Sequence, residues 1–472
     1  MIVKEIAFST QAVQRHVSEQ IFFVADGPWS ISNCLCKLVK NDSGYLATFF
    51  LNQKYNYHLT GDIHKFGLNN ELLLVDGQGT LTIPKSALSV LQVSNGFPQW
   101  ITAQVSSFYR GDKGAYDCRG LRLVIPIDFL PDFGCLEATS LKIKDFHKSA
   151  GVVTIAFDGA TFQLYEYRDS ATGDKFLLID ADKELPYEFF RQTADSILLA
   201  FGVLSGTHIL GDYYYHRSHM QDNKFEEFIY YRFAGGTKEF PMPLVSPRSY
   251  SAYMSSLGLE ADPQSSAVST TFFGKFAQTL SEKEAFSRSC KLVIAGYHAQ
   301  LLLCAGMYSI ALETLTQLIY EENSQKFKLI KDPDMISSIQ DPCLEIINRF
   351  KTEIITPEGD DTVYKIIEAR IKQINEPSNS TKLSASFDFL QIPLSKEEKR
   401  ILNSRNDFLH GKSPVSGHDF DNNKLKYFVA GLHILIVKLL FRYCGYRGHL
   451  IDYSSRWSRD GDDLHKTGFV NL

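Results

Sequence analysis

The sequence has no hydrophobic run long enough to cross a bilayer without interruption. Its most apolar stretch, Phe428 to Phe441, contains His433 and Lys438 and is shorter than the roughly 20 residues that a membrane-spanning helix needs. The first residues, Met1 to Ile6, include an acidic side chain and lack a long apolar core, so we do not expect a secretory signal. We therefore expect a cytoplasmic protein without a membrane partner.

The sequence also lacks disulfide-type cysteine spacing, phosphate-binding loops and an excess of basic residues. The eight cysteines are scattered, without the density of a disulfide framework or the paired two-residue spacing of a zinc site. No glycine loop of the Walker or Rossmann type is present to cradle a phosphate. The net charge of −5 provides no overall basic field, so any nucleic acid must meet a local patch. We expect reduced thiols, no metal and no cofactor.

The first half of the chain has the pattern of a β-rich domain. Two short apolar runs within 72–83 flank a glycine-containing turn and predict a hairpin. Asp158-Gly159 is a turn pair between two further strand-like runs. With an earlier run, these make three predicted strands, at 141–146, 152–157 and 161–167. Pro186 then opens a helix that ends at Gly206 and is expected to pack on the sheet.

A change of pattern divides the chain. The segment 241–278 is rich in Pro, Ser and Gly and has no sustained period, so we assign it as a linker. A capping-box pattern at Ser281 and Glu284 then begins a helical half. The sequence predicts an α+β protein, with a β-rich N-terminal domain over 1–240 and an all-α domain over 279–472.

One predicted helix carries the candidate chemistry. Ser395 and Glu398 form a second capping box, and Gly411 provides a stop after His410. Arg405 lies in the middle of the apolar stripe of this helix, which is formed by Ile401, Leu402, Phe408 and Leu409. An unpaired guanidinium away from water costs several kcal/mol, so Arg405 needs a carboxylate, an anionic ligand or a solvated groove.

Arg405, Asn406 and His410 together suit metal-free cleavage of RNA. His410 follows Asn406 by four residues, so the amide can orient the imidazole. A neutral histidine can take the proton of a ribose 2′-OH, while an arginine stabilises the charge on the phosphoryl oxygens. Two other pairs have similar spacing but lack the Asn and the capped helix: Arg442 with His449, and Arg459 with His465.

These residues resemble the Arg–(four to six residues)–His motif of the HEPN ribonucleases. The motif lies on the penultimate helix of a C-terminal helical domain, and the β-rich first half joined to such a domain is similar to the ApeA-type anti-phage HEPN proteins. The resemblance implies a HEPN-like helical bundle and an endoribonuclease acting in abortive infection. It also implies a homodimer with both Arg–His pairs in one cleft. Glu313 is similar to an acidic residue that some HEPN proteins place near the motif, although we favour a solvated or arginine-paired helix residue over a catalytic one.

The local charge is compatible with an RNA partner, such as tRNA or another structured RNA. Between Ser395 and Asp460 there are twelve Lys or Arg against seven Asp or Glu. We expect the β-rich half to sense a phage-derived trigger or to restrain the helical half.

Two other functions remain open. In the first, the chain is a non-catalytic dimeric module that binds RNA or protein, and Arg405 is a structural ion pair. In the second, the aromatic-rich β domain binds or hydrolyses carbohydrate. His208, His216 and His219 suggest a metal or sugar site, but strand alternation need not bring them together, so a tyrosine-rich sheet is favoured.

Overall fold

The structure is a computed structural model of the chain. It describes residues 6–17, 20–27, 33–51, 71–77, 79–94, 99–110, 120–129, 133–137, 151–219, 224–239, 242–260, 267–355, 360–409, 422–454 and 468–472. The chain forms two compact units, Met1–Glu282 and Lys283–Leu472. The first is β-rich and the second mainly helical, so the predicted fold class is confirmed.

Unit 1 is built on strands that alternate buried and exposed side chains. Its strands are β1 (Gln20–Asp26), β2 (Cys34–Asn41), β3 (Gly44–Leu51), β4 (Glu71–Asp76), β5 (Gly79–Pro84), β6 (Leu88–Val93), β7 (Gln99–Val105), β8 (Ser107–Arg110), β9 (Gly120–Ile127), β10 (Val152–Phe157), β11 (Ala160–Arg168), β12 (Lys175–Ala181), β13 (Thr207–His208), β14 (Asp212–His219), β15 (Lys224–Phe233) and β16 (Lys238–Glu239).

Fourteen of these strands form one antiparallel sheet, and β13 pairs separately with β16. The order in the sheet is β10-β11-β12-β9-β14-β15-β8-β5-β4-β1-β2-β3-β7-β6. The late hairpin β14–β15 therefore lies between β9 and β8 and joins two groups of earlier strands.

The predicted β-hairpins are present. β4 pairs with β5 as expected for 72–83, and β10 pairs with β11 around Asp158 and Gly159. Both turn residues have positive φ, 46° and 70°, which is the conformation that Asp-Gly tolerates. The strand expected at 141–146 lies outside the described residues.

Helices of unit 1 cover part of the sheet. They are α1 (Ile6–Val17), α2 (Tyr187–Ser205), α3 (Pro247–Ser256) and α4 (Thr270–Glu282). As predicted, Pro186 precedes α2 and Gly206 ends it in the left-handed region, with φ 75°. The helix packs on the sheet: the ring of Phe190 lies 5.9 Å from that of Phe162 on β11.

The segment expected to be a linker contains secondary structure instead. It includes α3 and most of α4, and α4 packs against α2 and β10. The close approach explains Gly274, because a Cβ there would lie 2.9 Å from the carbonyl oxygen of Ala156. The predicted capping box at Ser281 and Glu284 is wrong: Ser281 lies in the last turn of α4, and the next helix begins at Glu284 after Lys283.

Unit 2 is a helical bundle centred on its longest inner helices. Its elements are α5 (Glu284–Tyr297), α6 (Leu301–Glu322), α7 (Ser324–Phe327), α8 (Pro333–Arg349), α9 (Lys351–Ile354), α10 (Thr362–Lys372), α11 (Asn379–Phe389), α12 (Lys396–Leu409), α13 (Asn422–Tyr443) and the paired strands β17 (His449–Asp452) and β18 (Gly468–Asn471). Among the described residues, α6 is the one helix long and apolar enough to span a membrane. Here it contacts α5, α11, α12 and α13, as a core helix does.

Candidate functional site

The helix α12 begins with the predicted capping box. The backbone N–H of Ser395 donates to Glu398 Oε2 at 2.8 Å, and the N–H of Glu398 donates to Ser395 Oγ at 3.1 Å. Two N–H groups at the start of α12 are thereby satisfied, which fixes where the helix begins. The sequence prediction for this end of the helix is confirmed.

Glu398 also ties α12 to α13. Its Oε1 accepts a hydrogen bond from Lys438 Nζ at 2.5 Å, and Lys438 is only 5% exposed. Burial alone would raise the pKa of the Glu398 carboxyl. The hydrogen bonds from Lys438 and from the Ser395 N–H outweigh burial and lower this pKa below its usual value. The two helices also pack closely at Gly431, where a Cβ would lie 2.5 Å from Ile401 Cδ1.

Arg405 is buried on the inward face of α12, as its place in the apolar stripe predicts. It is 4% exposed, and Ile401 and Phe408 are buried on the same face. Its Nη2 lies 3.2 Å from Oε1 of Glu313 on α6, and the Glu313 side chain is 44% exposed. The structure thus brings a buried cation against a carboxylate that is half in solvent.

The guanidinium of Arg405 is incompletely paired. Burial lowers the pKa of Arg405, and the nearby Glu313 carboxylate opposes this shift. Nε is buried and makes no hydrogen bond to any residue that the structure describes. Buried N–H groups usually have a partner. Arg405 therefore retains capacity to donate to an additional acceptor.

Of the other two candidate residues, Asn406 lies within the described residues and His410 does not. Asn406 is exposed on α12, on the side away from the core. His410, directly after the end of α12, lies outside the described residues. The structure therefore places Arg405 beside Glu313 and leaves the pairing of Arg405 with His410 a prediction.

Unit 2 also contains a buried cluster of aromatic and histidine side chains that the sequence pattern did not predict. His433 on α13 is 1% exposed, and its Nε2 lies 2.6 Å from the hydroxyl of Tyr297. The rings of His433 and Tyr308 are 5.6 Å apart. Burial lowers the pKa of His433 to about 3, so the imidazole is neutral near pH 7. The interruption of an apolar run by His433 was the available signal.

The three histidines of unit 1 do not form a metal site among the described residues. His208 lies on β13, whereas His216 and His219 lie on β14. His216 is buried at 1% exposure. No group of three His, Cys, Asp or Glu side chains in the described part of the chain is arranged to hold a metal ion.

Unit 1 has a large open cleft of about 1100 Å³. Its walls come from α1, the ends of β2, β9 and β15, the β11–β12 turn and the start of β14. Asp212 is in this lining, where it accepts a hydrogen bond from Tyr231 at 2.7 Å and pairs with Lys40 at 3.0 Å. Phe129 and Phe233 add apolar surface.

Comparisons of the chain with family models, with curated proteins and with solved structures found no match.

Proposed function

We propose that this chain is a metal-independent endoribonuclease that acts as an anti-phage, abortive-infection effector of the HEPN type. The observation that supports it most directly is the position of Arg405. A buried guanidinium is held on a capped helix against the half-exposed carboxylate of Glu313, and its Nε–H has no hydrogen-bond partner among the described residues. His410 follows at the end of the same helix.

The proposed reaction uses the two groups in different roles. Neutral His410 takes the proton of a ribose 2′-OH, and the O2′ forms a bond to the adjacent phosphorus as the P–O5′ bond breaks. Arg405 donates to the phosphoryl oxygens as their charge increases, and the leaving 5′ oxygen takes up a proton. The products are a 2′,3′-cyclic phosphate and a 5′-OH. Asn406, one turn before His410, orients the imidazole.

In the resting chain, the carboxylate of Glu313 pairs with the guanidinium of Arg405. An RNA phosphate then joins or replaces this carboxylate as the partner of Arg405. Replacement costs little free energy, because the exposed Glu313 carboxylate returns to water. The capping box and the Glu398–Lys438 contact hold α12 in place during the exchange. This arrangement makes Glu313 a positioning residue for Arg405.

A homodimer is part of the proposal. The helix that carries Glu313 also exposes large apolar side chains, with Leu303 63% and Ile310 46% exposed. A Cβ at Gly306, between them, would contact nothing within 4 Å. Exposed apolar side chains along one helix are typical of an interface. A second copy on this face of α6 would place two Arg405 sites in one cleft.

The β-rich unit is proposed to recognise a phage-derived trigger. Its cleft of about 1100 Å³ supports a binding role, since ligand sites are usually concave and combine apolar surface with a few polar groups. Recognition there would regulate the helical unit.

The experiment is incubation of the purified full chain with total cellular RNA in EDTA. Wild type is compared with Arg405→Ala, His410→Ala and the control Arg400→Ala, which removes an exposed arginine from the same helix. We expect cleavage by wild type and the control, loss of at least 100-fold in the other two, and 2′,3′-cyclic phosphate at the product ends. Extract from phage-infected cells supplies the trigger in a second series.

Cleavage that survives in Arg405→Ala, or products with 3′-OH ends, would contradict the proposal. Inactivity of all four proteins with and without extract favours the other candidate, a non-catalytic module that binds RNA or protein. The ion pair between Arg405 and Glu313 is the observation in its favour. On that alternative, Arg405→Ala lowers the melting temperature and changes no RNA.

A further inference from the structure

Helices α8 and α10 form an antiparallel hairpin within unit 2. Gln340 Nε2 on α8 donates to the carbonyl of Lys372 at 2.8 Å, and Tyr364 on α10 donates to Asn348 Oδ1. Along the axis of the hairpin, Gln340 therefore lies at the height of the end of α10, and Asn348 lies at the height of its start; we call such residues level. These two contacts fix which residues of the helices lie side by side.

A row of large apolar side chains on α8 is exposed. No residue within α8 is buried. At 100° per residue, four apolar side chains from α8 and its C-terminal end fall within an arc of about 60°. They are Met335 (54% exposed), Ile339 (36%), Ile346 (53%) and Phe350 (50%).

A second row follows α10 on the same side of the hairpin. It consists of Val363 (54% exposed), Ile366 (49%) and Ile374 (46%), which comes just after the helix. Each row lies about a quarter turn, in the same rotational sense, from the centre of the less exposed residues of its helix. These are Ile336, Gln340, Cys343, Leu344 and Ile347 on α8, and Tyr364, Ile367, Glu368 and Ile371 on α10. In an antiparallel pair, equal rotations of this kind bring both rows to one side. We name these seven residues the hairpin face.

The hairpin face is large enough to hold a protein partner. Seven half-exposed side chains present on the order of 600 Å² of apolar surface, near the top of the range for one patch on a monomer. Two such faces packed together would bury about 1,200 Å², the lower end for a stable interface. The area therefore suits a second copy of the chain.

The pattern of the rows also favours a second copy. The contacts between the helices set which residues lie at the same height along the hairpin. On this basis, Ile366 is level with Ile346. Two further pairs are nearly level: Val363 with Phe350, and Ile374 with Ile339. A two-fold axis parallel to the helices lays α10 of one copy over α8 of the other at unchanged levels. Ile366 then meets the partner's Ile346.

Charge agrees with this arrangement. Arg370 lies in the α10 row between Ile366 and Ile374 and forms no ion pair with a described residue. It comes within one turn of the partner's Glu345. Among the described residues of its own chain, Glu345 has one ion-pair contact, an exposed one of 4.0 Å with Arg349. At 100° per residue, Glu345 lies on the flank of α8, about 110° from the centre of its row. The two-fold operation thus places opposite charges at neighbouring levels beside the interface twice.

We propose that the hairpin face is a self-association surface that pairs two copies of this chain about a two-fold axis. It is separate from the α6 face invoked for the ribonuclease dimer. A chain that uses both surfaces forms an assembly larger than a dimer.

The test measures the mass of the full chain by sedimentation equilibrium. Ile346→Glu places a charge at the centre of the hairpin face, and Ser337→Glu is the control, since Ser337 is exposed on the opposite side of α8. We expect Ile346→Glu to halve the mass of the wild-type assembly and Ser337→Glu to leave it unchanged. An unchanged mass in Ile346→Glu, or a single-chain mass for wild type, would overturn the proposal.

Charge reversal tests the arrangement itself. Arg370→Glu and Glu345→Arg are each expected to weaken association at least tenfold, and the double variant to restore it. A double variant as weak as the single ones would overturn the two-fold pairing. The result is independent of RNA cleavage. If Ile346→Glu has the mass of two chains, the α6 interface is supported. If it has the mass of one chain, the α6 interface is contradicted and the hairpin face is supported.

Discussion

Glu398 serves as both the capping residue of α12 and the ion-pair partner of Lys438 on α13. Its Oε2 accepts from the Ser395 N–H, while its Oε1 accepts from Lys438 Nζ. One carboxylate therefore determines where α12 starts and which part of α13 it meets. The position of Arg405, nearly two turns further along α12, depends on both contacts.

Replacing Glu398 by Gln should destabilise unit 2 by about 3 kcal/mol, because it leaves the buried Lys438 ammonium without its counter-charge. Gln retains capping-box capacity, so the loss reports the ion pair. Chemical denaturation measures the change. Glu397→Gln is the control, since the Glu397 side chain is 43% exposed and pairs with Arg400 at the surface, with Tyr427 as a further contact. Equal losses in the two variants would contradict this account.

His433 should make stability fall as the pH is lowered below about 6.5. Burial holds its pKa at about 3 in the folded chain, against the ordinary histidine value of 6.5. Between these values only the unfolded chain binds the proton, so the free energy of unfolding decreases by about 1.4 kcal/mol per pH unit as pH falls. Denaturation at pH 7 and pH 5 should show a smaller decrease in His433→Gln. An identical decrease in both proteins would count against the assignment.

Two glycine replacements should have opposite effects. Gly274→Ala should destabilise unit 1 by about 2 kcal/mol, because its Cβ would meet the Ala156 carbonyl at 2.9 Å and backbone must move. Gly306→Ala, also in a helix, meets no atom of its own chain within 4 Å and should stabilise unit 2 of the single chain by about 0.5–1 kcal/mol. Thermal melting compares the two. A stabilising Gly274→Ala would show that α4 does not pack on β10 in this way.

Arg405 and Glu313 should be energetically coupled. Glu313→Ala leaves a buried guanidinium without its carboxylate, so it should destabilise the chain, and the double variant should be less destabilised than the sum of the single ones by about 0.5–3 kcal/mol. Denaturation of the four proteins gives the coupling. Under the ribonuclease proposal, cleavage disappears in Arg405→Ala and persists in folded Glu313→Ala. Strict additivity would mean that the contact contributes nothing.

Local signals predicted the elements they control directly. The capping box at Ser395, the turn at Asp158-Gly159 and the stop at Gly206 each depend on nearby residues, and each is present. The linker prediction differed because α4 is stabilised by distant partners, including Ala156, which a local pattern does not reveal. For the same reason, the apolar stripe predicted that Arg405 needs a partner, whereas its contact with Glu313 depends on the packing of α12 on α6.

The place of β14–β15 in the sheet has a consequence for biosynthesis. In the folded sheet, β14 pairs with β9 and β15 pairs with β8. During synthesis, β9 and β8 lack these partners until about residue 233 has left the ribosome. Both strands therefore remain open edges on the nascent chain, and open edges invite pairing with other chains. Fragments that end before Phe233 should aggregate, whereas fragments that include it can close the gap between the two groups of strands.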